Sequence, residues 1–575
     1  AMVRSSDPVF DSEQKHLREV HSDLSKTNEA ITHRIEKIES NARSDRSSMM
    51  EDIRPDFTDA SATIETLAAY EAANSIIKQH ENERRINIEK AKAISLLLKR
   101  PYFAKLILRF PNRSKPREIY LGAVGFSDKE KGQLVYDWRS PVAEVYYSQS
   151  QGRVSYEANG KTIEADLDLR RQFKIDGSEP IAYFDTDIAL QDDLLIESLS
   201  RARSSRMEEI TATIQKEQNA IVRAPDASAI LVSGVAGSGK TSVMLQRLAY
   251  LFFQNRGSLK PENVVLITPN VMFQEYIENV LPELGEKNPR MHTWNSLKEE
   301  ISGLSAVEGA SLMPDEMLDL VKSELGKEEP AEACLEAENI RYVLIDEVQD
   351  YTLEQLNVIA SYYCRARFLL LGDPNQALSE GLASFDEIRE LFAKHKGSVS
   401  EAHLAISYRS TVEITRLFAS FADLNEHLRI ESIQRNGSEP RILECKDNDS
   451  YREALASEIE RIVAGEYATE SAAIITLQTE ELERVQLKIA EYREYASVKP
   501  LDDIRVLTLE EAKGLEFDHV ILVDVSKTAL GETDLWRRRL YTAISRATKS
   551  FVALSRGPVS PLLAQQQCAL CSFES

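Results

Sequence analysis

Residues 229–241 read AILVSGVAGSGKT, an apolar run followed directly by a glycine-rich loop. The run from Ala229 to Ser233 has the composition of a buried strand, and residues 242–253 predict a helix. A strand, the pattern G-x-x-x-x-G-K-T and a helix in this order are typical of a phosphate-binding loop. Its glycines let backbone N–H groups surround phosphate oxygens, beside a helix N-terminus that favours anions. The stretch therefore predicts a parallel α/β sheet with a nucleotide site.

The residues of this loop predict ATP and Mg²⁺ as the cofactors. The Lys240 ammonium can reach the β- and γ-phosphates, and the Thr241 hydroxyl can ligate Mg²⁺. The residues that we expect to bind nucleotide here are Gly234, Gly237, Ser238, Gly239, Lys240, Thr241 and Ser242.

Two further apolar runs end in polar residues that suit ATP hydrolysis. The run RYVLIDE at 341–347 delivers Asp346 to a strand end, where it can hold Mg²⁺ through water. The adjacent Glu347 can orient or deprotonate an attacking water. The run FLLLGDPNQ at 368–376 ends in Gln376, whose amide can sense the γ-phosphate. Together these residues predict a hydrolase.

The composition limits the partners of the chain. Its 575 residues leave room for about three or four domains, and its net charge is −23. Because Lys and Arg dominate the binding of phosphate backbones, we expect at most weak binding of DNA or RNA. The charge is consistent either with simple solubility or with a basic protein partner.

The apolar segments and the cysteines of the chain predict its location and redox state. No stretch has the roughly 20 apolar residues that span a bilayer, and the N-terminal residues lack a secretory core. We therefore expect a cytoplasmic protein with no membrane contact. The five cysteines are too few and too scattered for a disulfide framework. Cys568 and Cys571 have the spacing of half a zinc site, and we expect an inert surface pair.

The N-terminal third is organised differently. Residues 10–47 carry Leu17, Leu24, Ile31 and Ile38 at heptad spacing, and a second helical run covers about 60–99. These runs predict a projecting coiled-coil hairpin, with a bundle packed on the body as the alternative. Residues 101–198 contain short runs rich in β-branched and aromatic residues, including AEVYYSQ at 143–149. They predict a small antiparallel β domain.

Six motifs in order carry a family resemblance, namely SGVAGSGKT, IDEVQD, GDPNQ, SYRST, AKGLEF and YTAISRA. The series resembles the superfamily 1 motor ATPases of the UvrD/Rep type. The resemblance implies two RecA-like lobes with ATP between them. It also implies that Gln218 reads adenine, that Arg247 and Tyr408 flank the base, and that Arg409 and Arg546 reach the γ-phosphate. Gly514 and Glu516 would then line the nucleotide cleft, with Glu516 at the ribose.

The resulting domain prediction has four parts. We expect a coiled-coil arm at 1–100, a small β-rich domain at 101–200, and RecA-like lobes at 201–405 and 406–575. The first lobe would carry a short acidic helical insertion at about 296–340, and the second no large accessory domain. The third motif also lacks the family's base-stacking aromatic residue, and Glu510 replaces the usual histidine of the fifth. Hydrolysis is thus expected to be intact, and strand gripping weakened.

The N-terminal part narrows the resemblance. The runs KLILRF, VYDWRSPVAEVYY and TIQKEQNAIVR are similar to HelD-like proteins, bacterial factors that bind RNA polymerase. The resemblance implies that the arm enters the polymerase secondary channel, with Glu51 and Asp52 near its tip. ATP turnover would then help to release nucleic acid and recycle the enzyme. We expect a monomer that binds the bacterial RNA polymerase core.

Two other functions stay open at this point. The chain could be a DNA translocase or helicase in repair or defence, with the arm as a recruitment handle. It could also be a binding protein in which ATP only sets the conformation, although Glu347, Arg409 and Arg546 argue against that.

Overall fold

A computed structural model of the chain describes residues 8–52, 60–111, 113–128, 130–147, 152–185, 216–284, 286–304, 312–327, 332–422, 430–432, 436–464, 471–478, 485–486, 504–565 and 572–574. The chain divides into two compact units, one with the N-terminal helices and a β-rich sheet, the other with two parallel sheets. Among the described helices, none is long and apolar enough to cross a membrane. The predicted turn of the arm, most of the helix predicted at 191–218, and Cys568 with Cys571 lie outside the described residues.

The first two helices form an antiparallel pair. They run from Pro8 to Asp52 and from Ala60 to Lys99. At one end of the pair, Leu17 and Leu24 share a buried cluster with Ile94 and Leu97. Polar contacts continue along the helices, each with an N···O distance of 2.7 Å: the ion pairs Arg34–Glu83 and Arg84–Glu39, and the hydrogen bond between His80 and Asp45. The predicted pair of long antiparallel helices is confirmed, and its projection from the body stays a prediction.

Not all of the apolar residues of the arm are buried between its two helices. Leu17, Leu24 and Ile38 of the heptad series are buried, as the spacing predicts. On the second helix, however, Ile64 is 67% exposed and Leu67 is 57% exposed. The second helix therefore presents apolar side chains on its outer surface as well as toward its partner.

A buried charge cluster holds the base of the arm against the β-rich sheet. The Glu13 carboxylate accepts hydrogen bonds from Lys105 Nζ at 2.9 Å, Arg171 Nη1 at 2.9 Å and the Tyr120 hydroxyl at 3.1 Å. Glu13, Lys105 and Arg171 are all buried. Because Glu13 is the anion that Lys105 and Arg171 share, removing it would leave two buried cations with one carboxylate partner each, and the base of the arm therefore belongs to this domain's core.

The β-rich sheet has seven strands, and most neighbours are antiparallel. Its strands are Ala104–Arg109, Arg117–Gly122, Phe126–Asp128, Gly132–Asp137, Gly152–Ala158, Lys161–Asp176 and Glu179–Asp185. The long strand Lys161–Asp176 pairs with three others, more than any other strand of this sheet. One pair, between Arg117–Gly122 and Gly132–Asp137, is parallel.

The strand predicted at 143–149 was wrong. Residues Pro141–Ala143 form a 3₁₀ turn, and Glu144–Tyr147 continue it as a helix. Pro141 occupies the first helical position, where its fixed φ and missing N–H are tolerated. Val145, Tyr146 and Tyr147 are all buried, so the alternation that a half-buried strand requires is absent.

The first parallel sheet carries the phosphate-binding loop. Its strands lie in the order Arg290–His292, Val264–Ile267, Tyr342–Ile345, Arg367–Gly372, Ala229–Gly234 and Ser400–Leu404. The helices associated with these strands are Lys216–Val222, Lys240–Gln254, Val271–Glu283, Trp294–Ser302, Pro314–Leu325, Glu332–Glu338, Leu353–Tyr362 and Phe385–Lys396. The central strands are apolar and fully buried, as expected when helices cover both faces of a parallel sheet.

The second parallel sheet repeats this architecture. Its strands lie in the order Ile504–Thr508, Ala472–Thr476, Phe517–Val523, Ala547–Arg556, Arg441–Cys445 and Ser572–Glu574. Its helices are Val412–Ala419, Asn448–Ala464, Leu509–Ala512, Asp534–Ile544 and Pro561–Ala564. A short parallel pair, Ile406–Ser407 with Glu431–Ser432, completes the described strands. The predicted fold class, two RecA-like sheets after a helical arm and a β-rich domain, is confirmed.

Candidate active site

The phosphate-binding loop has the backbone that its glycines predict. Gly237 and Gly239 have positive φ values of 75° and 78°, a region that side chains other than glycine rarely adopt. A Cβ at Gly234 would lie 2.7 Å from Lys240 Cγ, so the loop closes tightly around this lysine. Lys240 Nζ donates to the Gly234 carbonyl at 3.0 Å. The loop is thus a cradle of backbone groups with a buried ammonium at its centre, as a phosphate chain requires.

The acidic pair lies at the end of the adjacent strand Tyr342–Ile345. The Thr241 hydroxyl donates to Asp346 Oδ2 at 2.7 Å, so the loop and the acidic motif converge. Together they offer the oxygen-only ligand set that Mg²⁺ prefers. Glu347 has φ 51°, a left-handed conformation that costs a non-glycine residue about 1–3 kcal/mol. Its carboxylate accepts from Gln349 Nε2 at 2.6 Å, which fixes its direction.

The pKa values of the Asp346 and Glu347 carboxyl groups are shifted in opposite directions. Burial raises the pKa of Asp346 to about 7, and the neighbouring charge of Glu347 adds to the rise. Burial also acts to raise the pKa of Glu347, but the ammonium groups of Lys240 and Lys513 outweigh it, and the net pKa is lowered. Glu347 is therefore the ionised member near neutral pH, as a group that accepts a proton from water must be. A cation beside Asp346 would favour its ionised form.

The loop after strand Arg367–Gly372 presents Gln376. Asp373 Oδ2 accepts from Gln376 Nε2 at 2.8 Å, and the Asp373 backbone N–H donates to Gln349 Oε1 at 3.0 Å. A Cβ at Gly372 would lie 2.3 Å from that Gln349 oxygen, so a larger residue there would displace the Gln349 amide. Gln349 thus links this loop to Glu347.

The second lobe contributes cations to the same cleft. Arg546 is buried and donates through Nη2 to Gln376 Oε1 at 3.4 Å. Burial lowers the pKa of Arg546, while the charge of Glu347 acts in the opposite direction. Lys513 Nζ pairs with Asp350 and donates to the Gln376 carbonyl at 2.8 Å. Groups from both lobes therefore meet around Gln376 and Glu347.

Three family models match the chain in the order of these parts. The model "DNA helicase IV HelD, N-terminal domain" matches residues 10–197. The models "AAA domain" and "UvrD-like helicase C-terminal domain" match residues 217–382 and 503–554. Together these matches support a HelD-like helicase of the UvrD/Rep superfamily 1 type. This HelD-like chain is accordingly a P-loop ATPase of the helicase-like type.

Individual relatives match shorter parts of the HelD-like chain. It is 37% identical over 92 residues to a "Probable DNA helicase II homolog" of Mycoplasma pneumoniae, which covers 15% of this chain and 12% of the relative. Among solved structures, the C-terminal domain of a possible DNA helicase from Lactobacillus plantarum is similar at 24% identity. That match covers 29% of this chain and 99% of the other chain, with a TM-score of 0.24. The chain therefore spans only a small part of the length of this curated relative.

The residues predicted around the adenine base lie in different settings. Gln218 lies buried in the helix Lys216–Val222. Arg247 is 2% exposed and donates through Nη1 to the carbonyls of Ile221 at 2.9 Å and Ala224 at 3.0 Å. In this HelD-like chain Arg247 therefore holds the C-terminal end of that helix and the residues just after it, and its contact with a base stays a prediction.

The predicted residues from the second lobe are placed as follows. The Tyr408 backbone N–H donates to the Gly237 carbonyl at 3.0 Å, and Arg409 forms an ion pair with Glu516. The structure thus brings together the predicted γ-phosphate and ribose contacts, and a phosphate would compete with Glu516 for the guanidinium. Gly514 has φ 80° with open space at its Cβ position, so its backbone conformation, and not crowding, requires glycine. Of the remaining loop residues, Ser238 is fully buried and Ser242 is half-buried.

Glu510 and Glu511, which depart from the family's fifth motif, have local structural partners. Glu511 Oε2 accepts from the Thr508 backbone N–H at 2.9 Å, and Thr508 Oγ1 accepts from the Glu511 N–H at 3.2 Å. This reciprocal pair is a capping box for the helix Leu509–Ala512. Glu510 pairs with Arg539 at 2.9 Å. The two carboxylates therefore serve this lobe's own structure.

Sequence reasoning missed several residues that join the site, namely Gln349, Asp350, Asp373, Lys513 and Tyr541. Gln349, Asp350 and Asp373 lie inside motifs that were recognised, so their proximity to Glu347 and Gln376 was a usable signal. Lys513 and Tyr541 also lie inside recognised motifs, AKGLEF and YTAISRA, but their contacts join residues far apart in sequence, and no local pattern predicts those contacts.

Proposed function

We propose that this chain is an ATP-hydrolysing factor that docks on bacterial RNA polymerase, inserts its arm in the secondary channel and promotes release of nucleic acid. Its ATPase chemistry would use Lys240 on the β- and γ-phosphates, with Thr241 and Asp346 as the Mg²⁺ ligands. Glu347 would accept a proton from the attacking water. Gln376 would sense the γ-phosphate. The convergence of Glu347, Gln376 and Arg546 from two lobes is the geometry that supports hydrolysis.

The match of residues 10–197 to the HelD N-terminal domain carries the polymerase part of the proposal. This region holds the helices Pro8–Asp52 and Ala60–Lys99 together with the β-rich sheet. A hairpin of two long helices is a suitable probe for a narrow channel, because each residue of helix adds about 1.5 Å of reach.

Charge supports the same partner. The chain has a net charge of −23, and Glu51 and Asp52 end the first helix of the arm. A channel that binds nucleic acid presents cations, so an acidic tip would find a complementary surface there. The acidity also disfavours nucleic acid as the direct target of the arm.

We predict that shortening the arm abolishes co-purification with RNA polymerase. Residues 35–82 would be replaced by a short Gly-Ser turn, which keeps the Arg34–Glu83 pair and the buried base around Glu13, Leu17 and Leu97. The body then retains its fold, and ATP turnover without polymerase should be unchanged. The measurement is a pull-down from bacterial lysate with the full-length and shortened chains.

A charge reversal tests the arm tip itself. The double variant Glu51→Lys/Asp52→Lys should bind polymerase roughly tenfold more weakly at low salt, with a smaller difference at high salt. The matched control is Glu19→Lys/Glu29→Lys, which makes the same charge change at exposed positions nearer the base of the arm. Equal effects of the two double variants would count against tip docking, and full binding by the shortened chain would refute the proposal.

A DNA translocase or helicase is the second candidate. The 92-residue match to the Mycoplasma pneumoniae "Probable DNA helicase II homolog" favours it. Under the polymerase proposal, the wild-type chain hydrolyses ATP but displaces no strand from a tailed duplex. Strand displacement that Lys240→Ala abolishes would instead support the helicase function.

A further inference from the structure

Tyr541 connects the second lobe to two loops of the first. It lies on the helix Asp534–Ile544 and is fully buried. Its hydroxyl accepts a hydrogen bond from the Ala236 backbone N–H at 3.1 Å and donates one to Asp373 Oδ2 at 2.9 Å. One side chain thus contacts the phosphate-binding loop and the loop that carries Gln376.

Asp373 links the Tyr541 hydroxyl to the Gln376 amide. Its Oδ2 atom accepts from both the Tyr541 hydroxyl and Gln376 Nε2, the latter at 2.8 Å, while its Oδ1 atom accepts from the Asn375 backbone N–H at 3.0 Å. An amide that donates through Nε2 to Asp373 presents Oε1 in another direction, and that oxygen accepts from Arg546 Nη2. Asp373 therefore sets which end of the Gln376 amide faces the catalytic cleft.

We propose that Tyr541 is a positioning residue for ATP hydrolysis, whose hydroxyl couples the position of the second lobe to the orientation of Gln376 through Asp373. The inference rests on the γ-phosphate role proposed for Gln376, and it does not depend on RNA polymerase. When the lobes are seated as in this structure, Tyr541 holds Asp373, and Asp373 holds the amide. When the second lobe withdraws, Asp373 loses the hydroxyl and the amide loses its fixed orientation.

The hydroxyl and the ring of Tyr541 have separate tasks. The ring packs in the core of the second lobe, with its centroid 5.3 Å from that of Phe418 in a T-shaped arrangement. Tyr541→Phe keeps this packing and removes only the hydroxyl. It leaves the Ala236 N–H without its acceptor and Asp373 with one donor fewer. The substitution therefore separates a positioning role from a packing role.

The experiment compares steady-state ATP hydrolysis by the full chain without polymerase. Tyr541→Phe is expected to lower kcat by about 10–100-fold, because small misplacement of a catalytic group has effects of this size. The KM for ATP and the binding of a non-hydrolysable analogue should be unchanged. The matched control is Tyr363→Phe. Tyr363 is a buried tyrosine of the first lobe, and its ring centroid lies 4.9 Å from that of Tyr362. The kcat of this control variant should equal that of the wild type.

A double variant decides whether the effect runs through Gln376. In a Gln376→Ala background, Tyr541→Phe should lower kcat little further, since residues that act as one unit are not additive. A full additional loss in that background, or an unchanged kcat in Tyr541→Phe alone, would overturn the proposal. Asp373→Asn breaks the same link from the first lobe and should reproduce the kcat loss. If Gln376→Ala alone turns over normally, the role proposed for Gln376 fails, which is a distinguishable result.

Discussion

Glu347→Gln is expected to lower the kcat for ATP hydrolysis by about 10²–10⁴-fold while ATP binding is retained. The glutamine amide can still accept from Gln349 Nε2, so the side chain keeps its place beside Asp346. It cannot accept a proton from the attacking water, whereas in the wild type Lys240 and Lys513 lower the pKa of Glu347 and so favour the ionised carboxylate that this task requires. Single-turnover hydrolysis and binding of a fluorescent ATP analogue would separate the two steps.

Some stability should be lost with activity in this variant. Removing the charge of Glu347 relieves a repulsion with Asp346, but it also removes the charge partner of Lys240 and Lys513, whose attraction lowers the pKa of Glu347. Because a carboxyl whose pKa is lowered by folding contributes stability above that pKa, we expect a melting temperature modestly below that of the wild type. Glu354→Gln is the control, because it makes the same chemical change at an exposed position of the following helix. Wild-type turnover in Glu347→Gln would remove Glu347 from the mechanism.

The sequence predicted those parts of the site that depend on short-range order. The phosphate-binding loop needs a strand, glycines that adopt positive φ and the start of a helix, and residues 229–254 contain all three. Asp346 and Gln376 follow buried strands that pair directly, Tyr342–Ile345 with Arg367–Gly372. Parallel strands bring their carboxyl ends to one edge, so these residues lie close together as expected.

The contacts between the lobes could not be predicted in this way. Lys513 meets Asp350 and the Gln376 carbonyl across sequence separations of 163 and 137 residues, and the Tyr541–Asp373 contact spans 168. Nothing in the local pattern of either partner specifies the other, because these pairs exist only after both sheets have formed and packed. The sequence therefore identified the chemistry of each lobe but not the contacts that couple them.

One local error has a simple physical cause. Aromatic residues at 143–149 predicted a strand, but Ser140-Pro141 starts a helical turn, and Tyr146 and Tyr147 are both buried, so the alternation of a half-buried strand is absent. At the fifth motif, Glu510 pairs with Arg539 and Glu511 caps the helix Leu509–Ala512. The weakened strand gripping inferred from Glu510 stays a prediction.

Arg546→Ala is expected to lower kcat by about 10³-fold or more, the usual contribution of an arginine that stabilises transferring phosphate. The guanidinium lies within hydrogen-bond distance of Gln376 Oε1 and is buried with Glu347 nearby, so a developing charge in the cleft would be poorly screened by water. ATP hydrolysis in a single turnover measures the loss directly.

Controls can separate this catalytic loss from damage to the fold. Arg546 also donates to the carbonyls of Thr542 at 3.2 Å and Leu515 at 3.3 Å, so thermal unfolding of the variant must be measured beside turnover. Arg546→Lys keeps the charge but not the planar fork, and should restore only part of the activity. Arg537→Ala, at an exposed position of the preceding helix, should leave both properties unchanged. Near-normal kcat in a folded Arg546→Ala variant would mean that the second lobe supplies its transition-state charge elsewhere, with Arg409 released from Glu516 as the next residue to replace.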